Sequence, residues 1–266
     1  MGRDRVNWDE VRQLVDGVPA GVTVTVSAHL LGTNERFARR GDERMPAAST
    51  IKVALLIALA EAVDANQLDL TQRASVSPAD KVAGSGVLNW LHDGLTLTLG
   101  DLAWLMIAVS DNTASNMLID RLGVDAINVT CTRLGATGTQ LNRYFMRQQG
   151  PDDLNIVTAE DLVTLLAAIA ENRAAAPEGC AWMRRILAQQ QDRDRLARHL
   201  PPRVTFAGKS GWQPGISHDS ALLTGPGGTL AIAALTQGFT NTNEANALLG
   251  RIGHAAGTLV ANVPRA

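Results

Sequence analysis

Apolar positions change their period twice along this chain. Residues 22–31 alternate and are rich in Val and Thr, a pattern that predicts a strand with one buried face. Residues 36–40 follow as its hairpin partner. From about 49 to 200 the spacing is helical, with clear segments at 50–65, 99–109, 113–122, 124–134, 159–171 and 179–191. After Pro201-Pro202 the alternation returns at 204–208, 220–224 and 229–236, separated by Gly-rich turns such as Gly225-Pro226-Gly227-Gly228. A short amphipathic helix at 7–15, capped by Asn7, opens the chain, and a longer one at 242–260 closes it.

Strands at both ends with helices between them predict an α/β (α+β) sandwich. Residues 1–43 and 202–266 would form one antiparallel sheet with the terminal helices on one face. Residues 44–201 would form an all-helical domain on the other. The cleft between the two is the expected place for a site.

Composition removes several function classes. The 266 residues are 45% hydrophobic and 19% charged with a net charge of -2, so no electrostatic footprint for nucleic acid or an anionic membrane exists. Aromatic residues, at 4%, are too scarce for a base-stacking platform. The five histidines are scattered without ligand spacing, so neither a metal nor another cofactor is expected. Cys131 and Cys180 read as free buried thiols. The longest apolar run, 51–60, contains a lysine and is too short to span a bilayer. The N-terminus is charged from Arg3 onward and has no secretory h-region, so a cytoplasmic location is expected unless a leader has been removed.

That apolar run also carries the first chemical signal. Lys52 sits in a helix that is otherwise apolar all round, where burial would cost several kcal/mol or depress its pKa by a few units. Ser49 lies three residues earlier on the same helix face, near the free backbone N–H groups of the helix start. A weak nucleophile, a desolvated amine and oriented donors are the requirements of acyl transfer. Taken alone, the pair is better explained by a helix cap beside a snorkelling lysine.

Two further clusters change that balance. Ser110-Asp111-Asn112 lies on a turn between helices. It could serve only as a double cap, or Ser110 could relay a proton while Asn112 holds a substrate carbonyl. Lys209-Ser210-Gly211 ends a strand between Gly208 and Trp212. It could be an edge strand with a solvated lysine. Alternatively, Lys209 and Ser210 would bind a substrate carboxylate, and the Trp212 N–H would complete an oxyanion hole with that of Ser49. Each structural explanation suffices alone, but three such clusters in this order are not well explained by chance.

Ser49-Thr50-Ile51-Lys52, Ser110-Asp111-Asn112 and Lys209-Ser210-Gly211 together resemble the class A serine β-lactamase branch of the penicillin-recognising superfamily. The stretches 93–116 and 155–161 are similar to the same family, and the likeness covers roughly residues 20 to 260. It implies the sandwich architecture and a Ser49 acyl-enzyme formed from a β-lactam or a related amide or ester, with Lys52 as base and Ser110 as proton shuttle. The partner implied is a small-molecule acyl substrate, and the protein is expected to act as a monomer. An esterase, amidase or peptidase of the same superfamily is the alternative. A non-catalytic binding or sensing module on this fold is another.

One departure bears on turnover. The family places a glutamate two residues after an arginine in its Ω loop to activate the deacylating water. Here Arg143 is followed by Tyr144 and Phe145, and Asp152 and Asp153 are out of register. Acylation is therefore expected more strongly than efficient antibiotic hydrolysis. Arg143 is expected to anchor the Ω loop through a salt bridge, and His218-Asp219 to be a structural polar pair in the sheet.

Overall fold

The computed structural model describes residues 6–147, 150 and 153–262, so Asp152 lies outside the described residues. In chain order its elements are α1 (Asp9–Asp16), β1 (Thr23–Leu30), β2 (Arg36–Arg39), β3 (Met45–Pro46), α2 (Lys52–Asp64), β4 (Arg73–Ser75), β5 (Thr96–Thr98), α3 (Leu99–Ala108), α4 (Asn112–Leu122), α5 (Val124–Arg133), β6 (Ile156–Val157), α6 (Ala159–Ala170), α7 (Pro177–Leu187), β7 (Thr205–Gln213), β8 (Ile216–Gly225), β9 (Gly228–Gln237) and α8 (Thr242–Ala261).

The main sheet runs β2-β1-β9-β8-β7 and is antiparallel throughout. Its central strand β9 is apolar from Leu230 to Leu235 because both of its faces are covered. Leu230, Ile232 and Ala234 face the first core, with Val24, Val26 and residues of α1 and α8. Ala231, Ala233 and Leu235 face the second, built from the helices between the two sheet segments. The α+β sandwich read from the sequence is the architecture observed.

At the centre of the helical layer is α2, where every residue from Lys52 to Ala60 is buried. A helix without a polar face can only be an axis around which others pack. Among the described residues, no helix is long and apolar enough to cross a membrane.

Three local differences matter for the site. Helix α2 begins at Lys52 rather than at residue 50, so Ser49 lies in the preceding turn. Strand β7 continues to Gln213 instead of ending at 208, so Lys209–Trp212 are strand residues paired with β8. The short pairs β3–β6 and β4–β5 were not expected, since two or three residues show no period.

Candidate active site

The turn that carries Ser49 is held at both ends. Before it, Ala47 N–H donates to Asn155 O at 2.7 Å, and after it Lys52 N–H returns to Ser49 O at 3.2 Å. Ala48 takes φ 45°, a left-handed conformation that L-residues adopt at a cost of about 1–3 kcal/mol. Strand β7 presses on the same turn. A Cβ on Gly211 would stand 2.8 Å from Ser49 N and 3.0 Å from Ala48 Cβ, so only glycine permits this approach.

Lys52 is fully buried. Its Nζ donates to Ser110 O at 2.8 Å and to Asn112 Oδ1 at 2.9 Å, and lies 3.2 Å from Ser110 Oγ. The ring of Phe145 covers it, with Nζ 4.4 Å from the centroid. Burial pushes the amine well below the ordinary lysine range. The nearby Lys209 charge acts in the same direction, and Asp111 partly offsets both. The Ser49 hydroxyl is not among the acceptors of Nζ in this state.

Ser110 is also left-handed, at φ 56°. It turns the chain from α3 into α4 and brings both its carbonyl and its hydroxyl to Lys52. The buried Asp111 holds this corner by accepting from Val87 N–H (2.7 Å), Leu88 N–H (2.9 Å) and Ala114 N–H (2.9 Å). Asn112 donates through Nδ2 to Ala83 O at 3.2 Å, so both ends of its amide are engaged.

Lys209 and Ser210 lie behind the cleft wall rather than on it, unlike the substrate-facing placement the motif suggested. Lys209 is fully buried, with Nζ donating to Ser210 O at 2.7 Å. The Ser210 hydroxyl donates to Asp192 Oδ2 at 3.1 Å, and its N–H donates to Gln190 Oε1. Asp192 in turn pairs with Arg195. Burial lowers the Lys209 pKa to about 7 against the opposing pull of Asp219 and Asp192, and burial raises that of Asp219 to about 7.

The sheet also reaches the nucleophile through His218. Its Nδ1 accepts from Thr236 N–H at 3.1 Å, so Nε2 carries the proton and donates to Pro46 O at 2.9 Å. Burial lowers its pKa to about 4, which keeps the ring neutral. His218 is thus a structural strut, while Asp219 caps Leu196 N–H at 3.1 Å instead of pairing with it.

A cleft of about 330 Å³ opens beside Ser49. Ser49, Asn112 and Trp212 border it, together with Arg143, Phe145 and Met146. Two buried asparagines fix the segment that supplies the last three. Asn116 Oδ1 accepts from Phe145 N–H at 2.8 Å, and Asn116 Nδ2 donates to Phe145 O at 2.9 Å. Asn155 accepts from the N–H groups of Asn142 and Arg143 at 2.8 and 2.9 Å and donates to Arg143 O at 3.1 Å. The Arg143 salt bridge expected from the sequence is not among the ion pairs of the described residues. An amide on the backbone does the anchoring instead. Sequence reading missed Asn116, whose signal was a lone amide beside the apolar run Met117-Leu118-Ile119.

Comparison with known proteins gives the same picture. The model of the beta-lactamase enzyme family matches residues 8–260. A beta-lactamase structure from Sphaerobacter thermophilus superposes with a TM-score of 0.90 at 39% identity, covering 94% of this chain and 97% of that one. PBP-A, solved as a point mutant in an acyl-enzyme complex with penicillin G, superposes at 0.87 with 25% identity over 97% and 98% of the two chains. Beta-lactamase AER-1 of Aeromonas hydrophila is 34% identical over 125 residues, 47% of this chain. That match spans 40% of AER-1, so it covers well under half of that curated relative. The match along nearly the whole chain, on a site whose serine and buried lysine stand one turn apart, assigns it: the protein belongs to the beta-lactamase enzyme family, as a class A-like serine member.

Proposed function

We propose that the protein is an acyl-transfer hydrolase that acts through a Ser49 acyl-enzyme on a β-lactam or a related amide or ester. The observation that carries this reading is the buried Lys52 amine, one turn from a serine on the cleft wall and held by Ser110 and Asn112. With the amine neutral, its two N–H bonds serve the Ser110 carbonyl and Asn112. Its lone pair is then turned to the Ser110 hydroxyl, 3.2 Å away, and is the place for a proton in transit.

In acylation the Ser49 oxygen bonds to the acyl carbon and its proton passes to Lys52. The bond to the leaving nitrogen or oxygen breaks, and Ser110 relays the proton from Lys52 to that atom. The N–H groups of Ser49 and Trp212 stabilise the oxyanion. Asn112 positions the amine at the cleft edge. Lys209, with Ser210 and Gly211 on the same strand, acts by its charge on Lys52.

Deacylation is the slow half. Phe145 stands where a general base for water is expected and covers the amine that could replace it. The complex of PBP-A with penicillin G supports acylation as the step this fold performs.

Intact-mass analysis after exposure to penicillin G, with a chromogenic cephalosporin and a p-nitrophenyl ester as turnover probes, tests the proposal. The wild type should carry a persistent adduct that Ser49→Ala lacks. Equal behaviour of the two proteins on every probe would leave only the binding-module reading.

A further inference from the structure

We infer that Arg143 is the anion-recognition residue of this cleft and selects acyl donors that carry a second negative charge on the acyl side. The inference rests on the acyl-transfer reading of Ser49 and adds a substrate class to it.

The cleft wall has a lopsided chemistry. Ala48, Tyr144, Phe145, Met146, Leu154 and Trp212 give it an apolar lining, and Arg143 is the one charged residue among the described residues that border it. The two lysines that might have competed for an anion are withdrawn. Lys52 and Lys209 are both fully buried, with their Nζ atoms committed to protein acceptors.

The loop that carries Arg143 is anchored through its backbone. The Arg143 N–H and carbonyl are held by the Asn155 amide, which fixes the loop without calling on the guanidinium. The neighbouring cation, Arg147, stacks on Tyr144 with its guanidinium carbon 4.7 Å from the ring centroid. The backbone at Arg143 is therefore fixed at the cleft border. A guanidinium in an apolar, partly dehydrated wall binds a carboxylate far better than it would in water. Arg143 follows Asn142 and precedes Phe145, so the site belongs to the segment that covers the acyl-enzyme rather than to β7.

The probes are two p-nitrophenyl phenylacetate esters, one with a 4-carboxylate on the ring and one with that carboxylate as its methyl ester. The rigid ring keeps the charged group from attacking its own ester. The p-nitrophenol burst is followed for wild type, Arg143→Gln, Arg143→Lys and Ser49→Ala. Wild type should favour the carboxylate ester by roughly ten- to hundredfold, the range expected of a charged hydrogen bond. That ratio should fall close to one in Arg143→Gln and be partly restored in Arg143→Lys. Added salt should shrink it in wild type and in Arg143→Lys but leave Arg143→Gln unchanged. A ratio near one in wild type, or one that Arg143→Gln leaves untouched, overturns the inference while leaving Ser49 chemistry standing. A wild-type burst no larger than that of Ser49→Ala with both esters overturns the acyl-transfer reading and the anion site with it.

Discussion

Phe145→Glu should turn a long-lived acyl adduct into a turning-over enzyme, with the adduct lost about 10²–10⁴ times faster than in wild type. The backbone at 145 is fixed, because Asn116 holds both the Phe145 N–H and its carbonyl. A carboxylate there would replace a ring that lies 4.4 Å from the Lys52 amine. It would stand beside both the amine and the cleft, where it can take a proton from an attacking water. The control is Phe145→Gln, which removes the same ring and opens the same space but supplies no base. Time-resolved intact mass of the penicillin adduct separates the two effects. An adduct that survives equally in the Glu variant and in wild type would falsify the view that Phe145 limits deacylation. Equal acceleration by Gln and Glu would show that the ring excludes water and that no base is needed.

The second large effect concerns Lys52. Lys52→Met should lower the acylation rate by about 10²–10⁴-fold, while the protein remains folded. Methionine matches the length of the lysine stem and suits a helix that is apolar on every side. Removing a buried amine relieves its desolvation penalty. Against that, Ser110 O and Asn112 Oδ1 lose a donor, at about 1–3 kcal/mol for each buried acceptor left unpaired. These opposing terms should hold the melting temperature within roughly 2–4 °C per kcal/mol of the remainder.

The pH profile of wild type has a defined sign. The base must be neutral, so acylation should fall as pH drops through the folded pKa of Lys52. Because burial depresses that pKa, the plateau should begin well below 10.5. The residual rate of Lys52→Met should lack this limb. A stable variant acylated at the wild-type rate would remove Lys52 from the mechanism.

Much of this site was legible in the sequence because it is local. The three-residue spacing of Ser49 and Lys52, and an isolated lysine in an apolar helix, already describe a buried amine beside a serine. The absence of an acid at 145 was equally plain. What the sequence could not show depends on distant partners. Lys209 and Ser210 read as cleft residues, yet Lys209 is committed to the Ser210 carbonyl and Ser210 to Asp192 and Gln190, which lie just past the end of α7 at Leu187, short of the helix end expected at 191. Arg143 read as a loop anchor, and only the contact with Asn155 showed that an amide had taken over that task. His218-Asp219 read as a structural pair, yet the two take separate partners, and the strut from His218 to Pro46 spans the chain from its C-terminal sheet segment to the residues before the nucleophile.

The pairing of β1 with β9 sets the order in which these parts can come together. Thr23 meets Gln237 across that ladder, so about two hundred residues must be enclosed before the local pairs β1–β2 and β7–β9 join into one five-stranded sheet. The helices between them make their contacts over shorter loops and can collapse earlier. Lys52, Ser110 and Asn112 belong to that early region, whereas Gly211 and His218 arrive only with the closed sheet. In refolding from denaturant, helical signal should therefore return before reactivity of Ser49, and the last phase to appear should be the one that restores acylation.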